Sequence, residues 1–331
     1  MNHVSTNGLV DYALKNGGSI HPLIVPKEKT EGTGLMNPSI FVDGDDILVN
    51  VRHVNYTLYH SEGKGFPHQW GPLQYIHPED DWTLRTNNFM CQLNEDLSIK
   101  NSYMVDMKLN KDPKWHFIGL EDARLFRWNE KLYLCGVRRD HIDDKGTGRM
   151  DLCEIEFTGN GYEEVRRSYI PAPSGDKSYC EKNWMPILDR PYEFVKWTNP
   201  VEIARYNPED KSCTSTIVEH DKRYAFPRDV RGSSQIIPWR DHYIAITHEV
   251  WLYKDRIGRK DGRYMHRLVV WDKDFRVVNY SEDFSFMKGE IEFAAGMALH
   301  GDDVLISFGF QDNAAYILRM PQDILQRMIV E

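Results

Sequence analysis

Glu121-Asp-Ala-Arg-Leu-Phe-Arg-Trp-Asn-Glu-Lys-Leu-Tyr-Leu-Cys-Gly-Val-Arg138 reads as a polar cluster, a short apolar strand, a tight turn and a second apolar strand. The phrase comes five times along the chain, with further copies at Asn37 to Arg52, Glu181 to Lys196, Ser233 to Glu249 and Glu292 to Gly309. Successive copies start roughly 50 to 85 residues apart, within or above the period of a propeller blade carrying insertions. A repeat of this kind puts its polar cluster at the same structural place in every copy and gathers the five clusters around one axis. The expected fold is all-β, a five-bladed β-propeller, and the expected site is that ring of polar residues.

Working outward from the copies, Ile47 to Val54, Leu132 to Val137, Tyr243 to Thr247 and Val304 to Phe308 read as strands. Asp43-Gly44-Asp45-Asp46, Trp128-Asn129-Glu130-Lys131 and His300-Gly301-Asp302-Asp303 carry hairpin-turn chemistry between paired strands. Residues 1 to 34, with Gly17-Gly18, Pro22 and Pro26, read as an irregular N-terminal arm. The polar stretches Tyr56 to Asp81, Asp140 to Gly148, Gly159 to Pro173 and Trp251 to Gly262 read as loops on one face, commonly the binding face. Only residues 321 to 331 read as a helix, with Pro321 at its first turn and Ile324, Leu325, Met328 and Ile329 on one side. No low-complexity tract interrupts the chain, so a single domain over residues 1 to 331 is expected.

Composition narrows the functional classes. At 331 residues the chain can bury a large core, and 41% hydrophobic with 27% charged residues is ordinary for a globular protein. The formal charge of −9 argues against a broad nucleic-acid or membrane footprint, while leaving room for a local basic pocket. Five cysteines without a CxxC pair point to free thiols in a reducing compartment. The N-terminus lacks the basic start and apolar run of a signal peptide, and no stretch approaches 18 apolar residues. A cytoplasmic location is expected. The histidines and acids show no metal-ligand spacing, so neither metal nor cofactor is expected.

The densest chemistry is Glu121-Asp122 beside Arg124. A carboxylate here serves as general acid or base with the arginine orienting it or holding an anion; a plain salt bridge within the sheet is the alternative. Arg52, Arg85, Arg138, Arg139, Lys182, Arg228 and Arg231 punctuate an acidic protein, and several stand at inner or loop ends of the copies. As a set they suggest a phosphate clamp, since guanidinium groups bind phosphate bidentately. Individually, each has a carboxylate neighbour such as Asp140, Glu181 or Asp229 to pair with. Gly232-Ser233-Ser234 is either an anion-binding nest or a strand-opening turn. Asn37, Asn183 and Asp312 suit sugar hydroxyls or turn capping, His248 suits a hydrogen-bonding wall, and Trp184 and Trp197 suit sugar stacking or the core.

Gly119-Leu-Glu-Asp-Ala-Arg124 resembles the Glu-Asp-Pro-Arg signature of glycoside hydrolase family 130, the mannoside phosphorylases and β-mannosidases built on a five-bladed propeller, and of related mannosyltransferase/phosphorylases. Ala123 stands where that family usually has proline. Further motifs resemble a glycosyltransferase-like branch of the same superfamily. They are Glu181-Lys182-Asn183-Trp184, Gly232-Ser233-Ser234-Gln235, His248-Glu249 and Ile291-Glu292-Phe293-Ala294-Ala295-Gly296. The resemblance spans about Asn37 to Arg319 and implies that Asp122 is the proton-transfer residue. Taken together with the residue-level reading above, it gives an expected substrate-binding set of Asn37, Arg52, Glu121, Arg124, Arg138, Arg139, Glu181, Lys182, Asn183, Arg231, Ser233, Ser234, Gln235, His248, Glu249, Glu292 and Asp312.

Three reactions fit these residues. Inverting hydrolysis needs two carboxylates, with Glu181, Glu249 and Glu292 as possible partners of Asp122. Phosphorolysis replaces the second carboxylate with a cationic phosphate pocket. Glycosyl transfer uses the same kind of pocket for the leaving phosphate of an activated donor. The arginine count favours an anionic partner, and the downstream motifs favour inverting transfer from a sugar nucleotide or sugar phosphate to a carbohydrate or other hydroxyl acceptor. Phosphorolysis is the alternative, followed by hydrolysis and a non-catalytic carbohydrate-binding propeller. The acidic balance argues against nucleic acid as the acceptor.

Overall fold

The computed structural model describes residues 8–59, 74–76, 81–173, 177–219, 224, 226, 229–254 and 260–329. Each of the five copies folds into the inner strands of one antiparallel sheet, and five such sheets form a five-bladed β-propeller. The first blade runs outward through Leu35–Asp43, Asp46–Val54, Leu84–Leu93 and Ile99–Met104. The second runs through Glu121–Trp128, Lys131–Arg138, Arg149–Phe157 and Tyr162–Ile170, and the third through Met185–Pro186, Glu193–Thr198, Val201–Asn207 and Ser212–Val218. In the fourth, Arg231–Gly232 and Ile237–Trp239 flank His242–Lys254, followed by Lys260–Trp271 and Val277–Tyr280. The fifth contains Glu292–His300, Asp303–Phe310 and Ala314–Pro321.

The fifth blade is completed by the chain's beginning. Ser19–Pro22 pairs antiparallel with Tyr316 to Arg319, so first and last segments close the ring in one sheet. Residues 8 to 34 are therefore not an irregular arm: they hold this strand and the helices Leu9–Lys15 and Lys27–Thr30, and residues 1 to 7 lie outside the described set. The C-terminal helix is Gln322–Met328, seated by Ile324, Leu325 and Met328.

A separate apolar cluster fills each gap between neighbouring blades, which is why inner strands are buried on both faces. Leu48, Met90, Leu125 and Leu134 pack the first blade on the second, and Phe126, Trp128, Trp184 and Phe194 the second on the third. Met185, Val195, Ile236 and Val269 join third to fourth. Ile246, Leu268, Met297 and Phe308 join fourth to fifth under both terminal helices, and Ile40, Val49, Leu305 and Ile317 join fifth to first. At about 25 cal/mol per Å² of buried apolar area, these interfaces dominate the fold's stability.

Two expected loops are strands. Gly159 to Pro173 contains Tyr162–Ile170, whose outer-edge position exposes Val165, Arg166 and Tyr169 and so hides the strand pattern. Of Trp251 to Gly262, residues 251–254 and 260–262 belong to the paired strands His242–Lys254 and Lys260–Trp271, longer than their counterparts in the other blades, and residues 255–259 lie outside the described set. Of Tyr56 to Asp81, the pair Thr57–Tyr59 and Gln74–Ile76 forms a small sheet, and residues 60–73 and 77–80 lie outside the described set. Asp140 to Gly148 is a loop as expected. Among the described residues, no helix is long and apolar enough to cross a membrane. All five cysteines are free, four of them buried.

Candidate active site

Where the inner strands open toward the axis, their regular pairing breaks. In the second blade Cys135 faces Arg124 and Val137 faces Glu121, so Asp122 and Ala123 together stand opposite Gly136. This is a β-bulge, which re-aims a side chain out of the sheet's alternation. Asp122 adopts a left-handed φ of 50°, with Asn37 at 45° and Asn183 at 63° at the openings of the first and third blades. Gly136 is obligatory here: a Cβ on it would lie 2.3 Å from the Glu121 carbonyl oxygen.

The bulge delivers Asp122 into a hydrogen-bonded group. Asn37 Nδ2 donates to Asp122 Oδ1 at 2.8 Å, and Arg52 Nη1 donates to the same oxygen at 2.8 Å. Arg52 Nη2 also reaches Glu121 Oε2 at 3.2 Å and the Tyr56 hydroxyl at 2.8 Å, and its Nε donates to Thr86 Oγ1 at 3.2 Å. Burial works against charge on Asp122, but Arg52, the Asn37 amide and Arg124 outweigh it and hold its carboxyl below the usual range. Asp122 therefore rests as a carboxylate. Arg52 is likewise held strongly charged: burial opposes it, and Tyr56, Asp122 and Glu121 overcome that. Asp312 stands in the same field. Burial pushes its carboxyl up to about 6, with Asp122 and Glu121 adding to the shift and Arg52 opposing it.

Arg124 links this group to a second one. Its Nη1 donates to the Asp122 carbonyl at 2.8 Å, its Nε to the Ser233 carbonyl at 2.7 Å, and its Nη2 lies 3.5 Å from Asn183 Oδ1. Asn183 in turn lines a cavity of about 360 Å³ with Lys182, Lys196, Arg231, Glu181, Ser178, Cys180, Trp184, Trp197 and Gly232. Arg139 flanks it, with Nη2 3.2 Å from Cys180 Sγ. His248 sits behind, its Nδ1 3.0 Å from Ser233 Oγ and its ring stacked on Tyr264. Burial first, then His266, Arg231, Arg124 and Lys182, hold His248 well below its ordinary range, so it is neutral. Three cations, Lys182, Lys196 and Arg231, line the cavity beside one carboxylate, Glu181; Lys196 also faces Glu202 at 3.4 Å and Arg231 faces Asp229 at 3.5 Å from outside the lining. An anion fits that balance.

Several expected site residues belong to the framework instead. Arg138 turns away to a buried cluster, with Nη1 3.3 Å from Asp140 Oδ2 and Nε 3.2 Å from Asp151 Oδ2. Glu249 is buried against Arg267 at 3.2 Å. Glu292 accepts the main-chain N–H groups of Phe286, Met287 and Gly289 at 2.5, 2.8 and 2.8 Å and fastens that loop. Gln235 ties four blades together. Its Nε2 donates to the Ile40 and Leu125 carbonyls at 3.0 and 2.5 Å and to Ser39 Oγ at 3.1 Å, and its Oε1 accepts from Met297 N at 3.2 Å. Ser234 forms no anion nest, because its N–H donates to the Ile246 carbonyl at 3.1 Å and its hydroxyl to the Gln235 carbonyl at 2.8 Å. Glu181 borders the cavity but accepts the Trp184 indole N–H at 2.9 Å and faces Lys196 at 3.7 Å. Arg85 pairs with Asp81 on the surface, and Arg228 lies outside the described residues.

Sequence reasoning did not nominate Lys196, although it closes its copy as Arg52 closes the first. Trp184 is a core residue whose edge also borders the cavity, and Trp197 lines the cavity beside it. Among the described residues no group of three or more His, Cys, Asp or Glu is placed to hold a metal ion.

No family model matches the sequence, and no curated protein matches it. Solved structures do match its fold. A β-1,2-mannobiose phosphorylase from Listeria innocua aligns over 93% of this chain and 96% of its own at 14% identity, with a TM-score of 0.57. A structure from the GH130 family of mannoside phosphorylases, reported for glycoside hydrolases that target β-1,2 mannosidic linkages in Candida mannan, aligns over 92% and 94% at 13% identity and a TM-score of 0.59. A mannose phosphorylase from Leishmania mexicana, in complex with phosphate ion, aligns over 98% and 95% at 10% identity and a TM-score of 0.50. At these identities the likeness is one of fold.

Proposed function

We propose that this propeller is a carbohydrate-active enzyme, an inverting glycoside phosphorylase of β-mannosides with Asp122 as its proton-transfer residue. The observation that carries the proposal is the cation-lined cavity joined to Asp122 through Arg124 and Asn183. In the synthetic direction, an acceptor hydroxyl attacks the anomeric carbon of a sugar 1-phosphate. The Asp122 carboxylate takes the hydroxyl proton as the carbon–oxygen bond to phosphate breaks, and phosphate leaves into the pocket of Arg139, Lys182 and Arg231. In breakdown, phosphate attacks the anomeric carbon and protonated Asp122 gives its proton to the leaving oxygen, as microscopic reversibility requires. The ionised resting state of Asp122 suits the synthetic direction.

Hydrolysis is less well supported. Glu249 and Glu292 are committed to Arg267 and to main-chain N–H groups, Glu181 to Trp184 and Lys196, and Asp312 is pushed up to about 6. Of these four only Asp312, still largely ionised at neutral pH, remains for the role of base, so hydrolysis rests on it alone. The same two halves of the site also serve transfer from a nucleotide sugar, and the donor distinguishes the two reactions.

The test is the Asp122→Asn variant assayed with β-1,2-mannobiose and inorganic phosphate, and in reverse with mannose 1-phosphate and mannose. Turnover is expected to fall about 10²- to 10⁴-fold with the fold intact. Unchanged turnover refutes the assignment of Asp122. Activity with a nucleotide sugar and none with mannose 1-phosphate replaces phosphorolysis with transfer.

A further inference from the structure

A left-handed backbone at a non-glycine residue costs about 1 to 3 kcal/mol and persists only where the surroundings over-determine it. Asp122 is such a residue, and the main chain around it is held by side chains reaching in from the first blade. Asn88, only 1% exposed on Leu84–Leu93, donates through Nδ2 to the Leu120 carbonyl at 3.1 Å. Asn50, fully buried on Asp46–Val54, donates through Nδ2 to the Ala123 carbonyl at 3.1 Å and to Asn88 Oδ1 at 3.0 Å. The two amides thus grip the chain on either side of Asp122 and brace each other. Neither meets the cavity or the carboxylate itself. An apolar pair would take these donors from the Leu120 and Ala123 carbonyls, so the two amides fix the main chain beside Asp122 as well as filling the space.

We infer that Asn88 and Asn50 are positioning residues that hold the Asp122 bulge in its proton-transfer geometry, an inference that rests on the function proposed above. Their grip keeps the Asp122 carboxylate within reach of Asn37 and Arg52. A shift of about 1 Å in such a group costs on the order of 10²-fold in rate. Loosening the grip also weakens the contacts that keep Asp122 ionised, so its titration moves up toward the ordinary carboxylate range.

The experiment compares wild type with Asn88→Ala and Asn88→Asp, using β-1,2-mannobiose and inorganic phosphate in breakdown and mannose 1-phosphate with mannose in synthesis. Asn88→Ala is expected to lower kcat about 10- to 100-fold while KM for phosphate stays put, with the acid limb of the synthetic profile moved to higher pH. Asn88→Asp supplies the same shape and, when protonated, a single donor to the Leu120 carbonyl. Its activity relative to wild type is expected to fall as pH rises and that proton is lost. A melting temperature that drops while kcat and its pH profile match wild type overturns the inference and makes the pair structural. If Asn88→Ala does not fold, Asn88→Asp decides alone, and a ratio to wild type independent of pH overturns the inference. Wild-type enzyme that turns over neither sugar pair with phosphate overturns the proposed function and this inference together. An active wild type with unchanged Asn88 variants overturns the inference alone.

Discussion

Arg52 and Arg138 each close the second strand of a sequence repeat and each is buried, yet they face opposite ways. Arg52 points to Asp122 and Glu121 at the axis; Arg138 points to Asp140 and Asp151 within its own blade. Strand register explains the divergence. Arg52 stands opposite Met36, the residue before Asn37, whereas the residue opposite Glu121, just before Asp122, is Val137. Arg138 is thus one position further along, and a one-residue step turns a strand side chain to the other face. Arg139, one more step on, returns to the cavity side beside Cys180. Repeats assign a position; parity within the strand assigns the role.

The sharpest way to break this comparison is to truncate both arginines. Arg52→Ala is expected to lower turnover by about 10²-fold or more, because Asp122 loses its principal partner. It takes the arginine from the partly buried carboxylates of Glu121 and Asp122, and stability is expected to fall by about 1 to 3 kcal/mol. Arg138→Ala strands the buried Asp140 and Asp151 and is expected to cost about 3 to 5 kcal/mol, roughly 4 to 7 °C in melting temperature for a chain of this size, with KM for phosphate unchanged. A tenfold rise in that KM would return Arg138 to the phosphate pocket. Arg139→Met supplies the converse: KM for phosphate is expected to rise about tenfold, the loss of roughly 1.4 kcal/mol from a charged contact, with sugar KM near wild type. Equal weakening of both substrates would make Arg139 structural.

The smallest effects are in pH. The depressed Asp122 group stabilises the fold fully above its unfolded value, about 3.9, and that contribution is lost as pH falls through the lower folded value. Asp312 runs the other way. With its folded value raised to about 6, the native state binds the proton more tightly, and its contribution declines as pH rises from about 4 through 6. Asp312→Asn is therefore expected to raise the melting temperature relative to wild type by a degree or two more at pH 8 than at pH 5. A difference independent of pH would show that neither burial nor the neighbouring carboxylates raise Asp312.

The propeller was legible because inner strands lie between blades and read as short apolar runs punctuated by turns. The ring's closure was not, since Ser19–Pro22 pairs with a strand about 300 residues away and its four residues carry no signal of that partner. Asp122, Asn37 and Arg52 were legible as polar residues at repeat ends. Glu249 meets Arg267 and Glu292 a turn, partners the sequence did not reveal because a carboxylate in a motif looks the same whether it meets substrate, an arginine or a turn. Asn50 and Asn88 were invisible because a buried amide that grips main chain has no spacing rule.

The most direct test of the account is to follow inorganic phosphate and sugar together in one reaction of wild-type protein with β-1,2-mannobiose. The account predicts that mannose 1-phosphate appears mole for mole with phosphate consumed and with free mannose released, and that nothing happens without phosphate. Two free mannoses at a rate indifferent to phosphate would contradict it and restore a hydrolytic base to the site.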